Sequence, residues 1–133
     1  MADLTTGTIK ATSSSTVLGP VQFGEAVDPG ELVYLKADQK YWLASNANET
    51  VAAVVGIAVL GNVTDGYGFI GTGGDWDIGA TLTLTEVYMA SSTAGKIHPI
   101  ADLASTEYRS DIGTGKTAAL LAVKINNTGI AKV

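Results

Sequence analysis

The apolar residues of this chain occur in short runs that are separated by polar turns. In residues 81–86, threonine and leucine alternate, which is the period-two pattern of a half-buried strand. Asp28-Pro29-Gly30 places a proline and a glycine as a tight β-turn requires them. No stretch keeps a helical apolar period over three turns, and only residues 101–117 are suited to a helical turn. The pattern therefore predicts an all-β fold of short strands.

Two segments of the chain share one order of residue types. Residues 31–45 and 86–102 each begin with a glutamate, carry a Val-Tyr pair, and continue through a polar turn to a lysine and a second apolar run. The two Val-Tyr pairs lie 54 residues apart. Such self-similarity predicts two related hairpin units, at about 24–60 and 79–125, packed in one domain. The composition that all β-hairpins share is the alternative source of the likeness.

The predicted core consists of the apolar residues in these strands. If the chain is duplicated, Tyr34 and Tyr88 should occupy equivalent positions in it, with the same facing. The other predicted core residues are Val33, Leu35, Leu43, Val55, Ile57, Leu82, Leu84, Val87, Met89, Leu121 and Val123.

The first twenty residues differ in composition from the rest. Residues 1–20 hold few large apolar side chains, contain a Ser/Thr run at 12–16 and end at Gly19-Pro20. This composition predicts an extended N-terminal arm that contacts a partner and not the protein's own core. Residues 21–133 are then a single β-rich domain, since a chain of 133 residues is long enough for one core but not for two.

Charge and cysteine content restrict the possible partners. Charged residues make up 16% of the chain, the net charge is −5, and the eight basic residues are scattered singly. This balance opposes binding to nucleic acid or to an anionic membrane, because both need clustered Lys and Arg. The absence of cysteine excludes disulfides and thiolate zinc sites. The start MADLTTGTIK has no basic region followed by an apolar one, so no secretory signal is predicted.

Two glycine-rich segments resemble nucleotide-binding motifs in part. DIGTGKT at 111–117 has the end of a P-loop, but Ser110 stands where the motif needs glycine, and the run after it ends as a strand and not as a helix. GYGFIG at 66–71 fits the letters of the dinucleotide fingerprint without its strand–turn–helix context. Both are predicted to be glycine turns beside strands, so no nucleotide cofactor is expected.

The remaining polar candidates do not form a catalytic set. Asp75 and Asp77 flank a tryptophan and would need Asp65 or carbonyl oxygens to hold Ca²⁺; a lone pair of this spacing is more typical of solvated turns. Their same-face spacing on one strand is also too short for a pair of glycosidase carboxylates. His98 is the single histidine, and no nucleophile motif accompanies it. We therefore predict no metal site, no cofactor and no enzymatic activity.

The order of several sequence segments along the chain is similar to that in a known protein family. GEAVDPGELVYLKADQKYWLAS, VVGIAV, IGATLTLTEVYMASSTAGKIHPIADL and ALLAVKI follow one another, and VYMASSTAGKIHPIAD at 87–102 is the most specific piece. Over roughly residues 24–125 the chain resembles the small capsid decoration (cement) proteins of tailed bacteriophages. The segment at 66–76 is longer and more aromatic than the resemblance predicts.

The resemblance implies a fold, a partner and a location. It implies a compact β-sandwich or barrel-like domain (β-tulip-like) with an N-terminal arm, bound as a homotrimer to the major capsid protein. Such a protein is made in the host bacterial cytoplasm and stabilises the assembled head by bridging capsomers on the outer surface of the virion. On this basis the predicted capsid contacts are Leu4, Ile9 and Val17 in the arm, with Asp38 and Trp76 in exposed loops.

Two other classes of non-enzymatic protein remain alternatives. A tail or fibre module of a phage uses the same Thr/Gly-rich strands. A glycan-binding β module would use Trp42, Trp76 and Tyr67 as stacking platforms.

Overall fold

The computed structural model describes residues 3–133, and nearly half of the chain lies in β-strands with no α-helix in that range. All strand pairs are antiparallel, and the sheet is curled into a half-barrel, which confirms the predicted all-β, barrel-like domain. The strands are β1 (Lys10–Ala11), β2 (Thr16–Gln22), β3 (Leu32–Leu35), β4 (Tyr41–Leu43), β5 (Val54–Leu60), β6 (Tyr67–Asp77), β7 (Val87–Ala90), β8 (Ile97–Pro99), β9 (Tyr108–Gly115) and β10 (Leu120–Ala131), and a short 3-10 turn covers Ile100–Asp102.

The sheet is built on two four-stranded units whose strand orders mirror each other. The order is β4-β3-β5-β6-β10-β9-β7-β8, so β3–β6 and β7–β10 repeat one arrangement and join through β6 and β10. β4 and β8 lie at the two outer edges, and β3 and β7 lie next to them. β5 and β9 follow, and β6 and β10 meet in the middle. A common strand order in both units is what the duplication hypothesis predicts. We call β3–β6 the first repeat and β7–β10 the second repeat.

The backbone hydrogen bonds align the two repeats at their leading glutamates. Ala58 exchanges hydrogen bonds with the Gly30 N–H and the Glu31 carbonyl, and Gly115 exchanges the same bonds with Thr85 and Glu86. Gly30 and Thr85 both have a positive φ, 90° and 64°. The residues before the two strands therefore make the same turn.

The predicted equivalence of the two tyrosines is wrong by one residue. A β-bulge follows Val33 in the β3–β5 ladder and follows Tyr88 in the β7–β9 ladder, so Val33 corresponds to Tyr88 and Tyr34 to Met89. Neighbouring residues of a strand point to opposite faces. Tyr34 and Tyr88 are both buried in one cluster, but they reach it from opposite faces of their repeats. The predicted common facing is therefore wrong, and this counts against a strict duplication of the hairpin unit.

Two apolar clusters form the core. The larger lies between the repeats and holds Tyr34, Trp76, Tyr88 and Leu121; the smaller contains Phe23 and Ile70. Of the predicted core residues, those that are buried are Val33, Ile57, Leu82, Met89, Leu121 and Val123, and those that are partly buried are Leu43, Val55 and Val87.

Two predicted core residues are exposed, and one predicted strand is absent. Leu35 ends β3 at the start of a hairpin turn, and Leu84 lies in the turn that Glu86 N–H closes on the Thr83 carbonyl. Residues 81–86 form no strand, since Thr85 takes a left-handed conformation that a strand does not permit.

The predicted boundary at residue 20 falls inside a strand. β1 and β2 pair along one edge of β6, while β5 and then β10 pair along its other edge. The predicted domain boundary is corrected accordingly: the described part of the arm belongs to the sheet. Met1 and Ala2 lie outside the described residues.

The Ser/Thr run attaches this arm to β6 at Asp75. The hydroxyls of Thr12 and Ser15 donate to the Asp75 carbonyl at 2.9 and 2.6 Å. The Ser14 hydroxyl accepts from the Asp75 N–H at 3.0 Å. On the other side, the Asp75 carboxylate lies 2.6 Å from Lys116 Nζ. One residue of β6 thus joins the arm to the turn between β9 and β10.

Candidate docking surface

The structure places one predicted capsid contact in the core. Trp76 is 2% exposed, and its indole Nε1–H donates to the Gly73 carbonyl at 2.9 Å. Its ring covers Gly71, where a Cβ atom would lie 2.7 Å from the indole. The prediction of Trp76 as an exposed loop residue is wrong, because β6 continues through the segment that the glycines suggested was a turn.

Two predicted arm contacts also face the protein's own body. Leu4 and Ile9 are half-buried against the larger cluster, and the Leu4 N–H donates to the Ile97 carbonyl at 2.8 Å. Asp38 is exposed, but its carboxylate accepts from the Lys40 N–H and the Trp42 indole within its own hairpin turn. Val17 alone among the five is an exposed apolar residue on the sheet.

Val17 belongs to a continuous apolar surface that the sequence did not reveal. Tyr67 and Phe69 alternate along β6, Leu60 lies opposite Phe69, Val17 lies opposite Gly71, and Val63 follows in the turn after β5. All five side chains are exposed. We call this surface the Phe69 face.

Small residues in the sheet let the Phe69 ring lie flat on β2. A Cβ atom at Gly19 would lie 2.4 Å from the ring of Phe69, so the aromatic side chain packs directly on the backbone there. The same side of β6 continues to Gly71, where Trp76 covers it. The face is therefore the uncovered end of an apolar surface whose other end is the core between the repeats.

The Phe69 face is large enough to be a binding surface. Leu60 is 55% exposed and Tyr67 is 58% exposed. With Val17, Val63 and Phe69 they present a few hundred Å² of exposed surface, roughly the size of the largest apolar patch on a monomer, which is often functional. In the sequence, Tyr67 and Phe69 alternate with Gly68 and Ile70, which is a strand pattern that could have indicated this surface. The many glycines nearby made the segment resemble a turn.

An ion pair borders this surface. Lys40 Nζ lies 2.8 Å from Asp65 Oδ1, and Gln22 donates to the Asp65 carbonyl. The hydrogen bond and the negative charge of Asp65 raise the pKa of Lys40 above its ordinary value. The rim of the Phe69 face is thus polar, with a protonated lysine beside a carboxylate, as in the rims of protein interfaces.

The segments that resembled nucleotide motifs have structural roles. Asp111–Gly115 ends β9, and Lys116 then pairs with Asp75 across the turn that leads into β10. Residues 66–71 begin β6, with Gly68 facing Phe23. Both segments therefore lie at strand ends without a following helix.

The acidic residues and the histidine are engaged elsewhere. Asp77 accepts from the Gly79 N–H, and Asp75 and Asp65 are paired with lysines. His98 is fully buried in β8, with Nδ1 2.9 Å from the Pro99 carbonyl oxygen. Residues 3–133 contain no group of three or more His, Cys, Asp or Glu side chains placed to hold a metal ion.

The aromatic side chains considered for glycan stacking differ in availability. Trp76 is buried, and Lys36 Nζ lies 3.8 Å from the centre of the Trp42 ring, which covers that face with a cation–π contact. Tyr67 is exposed, but it shares its surface with aliphatic side chains.

No family model, curated protein or solved structure matches the chain. No helix among residues 3–133 has the length and apolar character needed to cross a bilayer.

Proposed function

We propose that this protein is a capsid decoration protein that docks on the outer surface of an assembled phage head and stabilises it by bridging neighbouring capsomers. The single observation that carries the structural side of the proposal is the Phe69 face. A contiguous apolar surface with a polar rim is typical of a site where another protein binds. The resemblance of residues 87–102 to decoration proteins indicates which kind of protein that is.

The position of the Phe69 face suits a structural protein. Its central strand, β6, is hydrogen-bonded on both sides, since it pairs with β2 along one edge and β5 along the other. A surface built on paired strands loses little conformational entropy when it is covered, so more of the contact energy remains as affinity. The arm contributes Val17 to this surface while it stays paired to β6.

Binding to an assembled shell stabilises it by mass action. A protein that binds the assembled state but not the dissociated one contributes RT ln(1 + [L]/Kd), or about 4 kcal/mol per site at a thousandfold excess over Kd. A standard protein contact buries roughly 1,600 Å² in total, so the Phe69 face would supply the apolar centre of such a contact. Repetition of the contact over a shell multiplies this effect.

Co-sedimentation with empty shells of the cognate phage tests the proposal. The full-length protein should pellet with shells in a saturable manner, and Leu60→Ser should weaken this binding at least tenfold, because it puts a hydroxyl in the apolar centre. Leu84→Ser is the matched control, since Leu84 is 61% exposed on a different part of the surface. Leu84→Ser should bind as the natural protein does.

Three outcomes would count against this function. They are failure of the natural protein to pellet with shells, equal weakening by both leucine substitutions, and no weakening by either. Saturable binding to a glycan array, abolished by Tyr67→Ala, would favour a glycan-binding module instead.

A further inference from the structure

The leading glutamate of the first repeat, Glu31, contacts a turn of the second repeat that carries a lysine. The Glu31 side chain is 12% exposed, and its Oε2 lies 3.6 Å from Lys96 Nζ. The turn at 91–96 that carries this lysine belongs to the second repeat. Its Gly95 carbonyl accepts from the Leu32 N–H at 2.9 Å, and the Gly95 N–H donates to the Ala44 carbonyl at 2.7 Å. Glu31 is therefore part of the contact between the repeats.

The second repeat has the same glutamate without such a turn. Glu86 corresponds to Glu31 in the backbone pairing described above. In the first repeat the Asp28 N–H donates to Glu31 Oε1, whereas in the second the corresponding Thr83 N–H donates to the Tyr88 hydroxyl. The Thr83 N–H thus bonds the tyrosine in place of the glutamate, and the Glu86 carboxylate does not accept the hydrogen bond that the Glu31 carboxylate accepts. Among residues 3–133 the Glu86 carboxylate forms no salt bridge.

Glu86 opens into a cavity. The cavity has a volume of about 630 Å³, and its lining includes Asp3, Thr81, Thr83, Glu86, Tyr88 and Pro99. Asp3 accepts a short hydrogen bond from the Ser91 hydroxyl with one oxygen of its carboxylate. The cavity thus presents two carboxylates and several hydroxyl groups, which favours a ligand that carries a positive charge and hydrogen-bond donors.

The chain itself contains the matching turn. The hairpin turn of the first repeat, Lys36–Lys40, is the counterpart of the turn at 91–96, and it too ends in a lysine. Its residues 37–39 are exposed. Lys40 pairs with Asp65 at the surface, where ion pairs are weak and exchange readily.

We propose that the Glu86 cavity binds the Lys36–Lys40 turn of a second copy of the protein. The contact would repeat between two molecules what Glu31 and Lys96 do between the two repeats of one molecule. Because the cavity and the turn are different surfaces of each copy, the contact is heterologous, and successive copies close into a ring or continue as an open chain. The proposal concerns the free protein and does not depend on binding to a shell.

Charge reversal on each side, followed by mixing, tests the proposal. The natural protein should show concentration-dependent association in sedimentation velocity. Glu86→Lys alone and Lys40→Glu alone should each weaken association at least tenfold, because each brings like charges together. An equimolar mixture of the two variants should associate again, since each then meets an opposite charge on the other.

Matched controls separate this contact from a general effect of charge. Glu49→Lys makes the same change of net charge at an exposed position outside the cavity, and it should associate as the natural protein does. Circular dichroism should show all variants folded. A natural protein that stays monomeric up to millimolar concentration would overturn the proposal. Equal association of Glu86→Lys and the natural protein, or a mixture that stays dissociated, would do so as well.

Discussion

The indole of Trp76 lies directly over the backbone of Gly71, so that a Cβ atom at position 71 would come within 2.7 Å of the ring. Residues 71 and 76 of a regular strand would point to opposite faces. The alternation is broken between them, where Gly74 has a φ of 82° and the β2–β6 ladder shifts register. Trp76 thereby fills the core between the repeats, and Gly71 marks where the covered part of this sheet face ends and the Phe69 face begins.

Gly71→Ala should destabilise the protein by about 1–3 kcal/mol, because the added methyl group overpacks the core against Trp76. The free energy of unfolding from a urea titration measures the effect. Gly73→Ala is the matched control, since the nearest atoms to its Cβ would lie 3.9 Å away. If the two substitutions had equal effects, the packing of Trp76 on Gly71 would be refuted.

Ser15→Ala should lower stability by about 1–2 kcal/mol, because the hydroxyl donates to the Asp75 carbonyl and accepts from the Thr12 N–H. Ser13 is exposed, and Ser13→Ala should leave stability unchanged. Both variants are compared by thermal unfolding in the same buffer. A Ser15→Ala protein as stable as the natural one would restore the earlier expectation that the arm is independent of the domain.

Thr85→Gly should stabilise the protein by roughly 0.5–1 kcal/mol. Thr85 has a φ of 64°, a conformation that a β-branched residue adopts only with strain and that glycine adopts freely. The corresponding position of the first repeat is Gly30. Thr81→Gly is the control and should destabilise by a similar amount, because glycine there only adds flexibility to the unfolded chain. Loss of stability in Thr85→Gly would contradict the claim that the backbone at Thr85 is strained.

The sequence sufficed for the fold class, but not for the register of the two similar segments. The Val-Tyr pairs are 54 residues apart, whereas the backbone aligns Glu31 with Glu86, one residue further. This offset is set by backbone hydrogen bonds to Ala58 and Gly115, residues that lie far along the chain from the two glutamates. A repeat can therefore be recognised from local composition while its exact alignment depends on tertiary pairing.

The candidate surface was hidden from the sequence for a similar reason. Nothing local distinguishes Trp76, which is buried, from Tyr67, which is exposed; the difference comes from which end of β6 the second repeat covers. Likewise, the Ser/Thr run suggested a free arm because its partner, Asp75, is about sixty residues away. Val17, a predicted capsid contact, is exposed, but its neighbours on the Phe69 face were not predicted as contacts.

The most direct test of the central claim is the retention of DNA by phage heads. Filled, expanded heads that lack the protein are heated with and without added full-length protein, and the released DNA is measured. We predict that saturating protein shifts DNA release to a higher temperature and that Leu60→Ser, at the same concentration, does not, while Leu84→Ser protects as the natural protein does. Equal release with and without the natural protein would contradict the claim that it stabilises capsids.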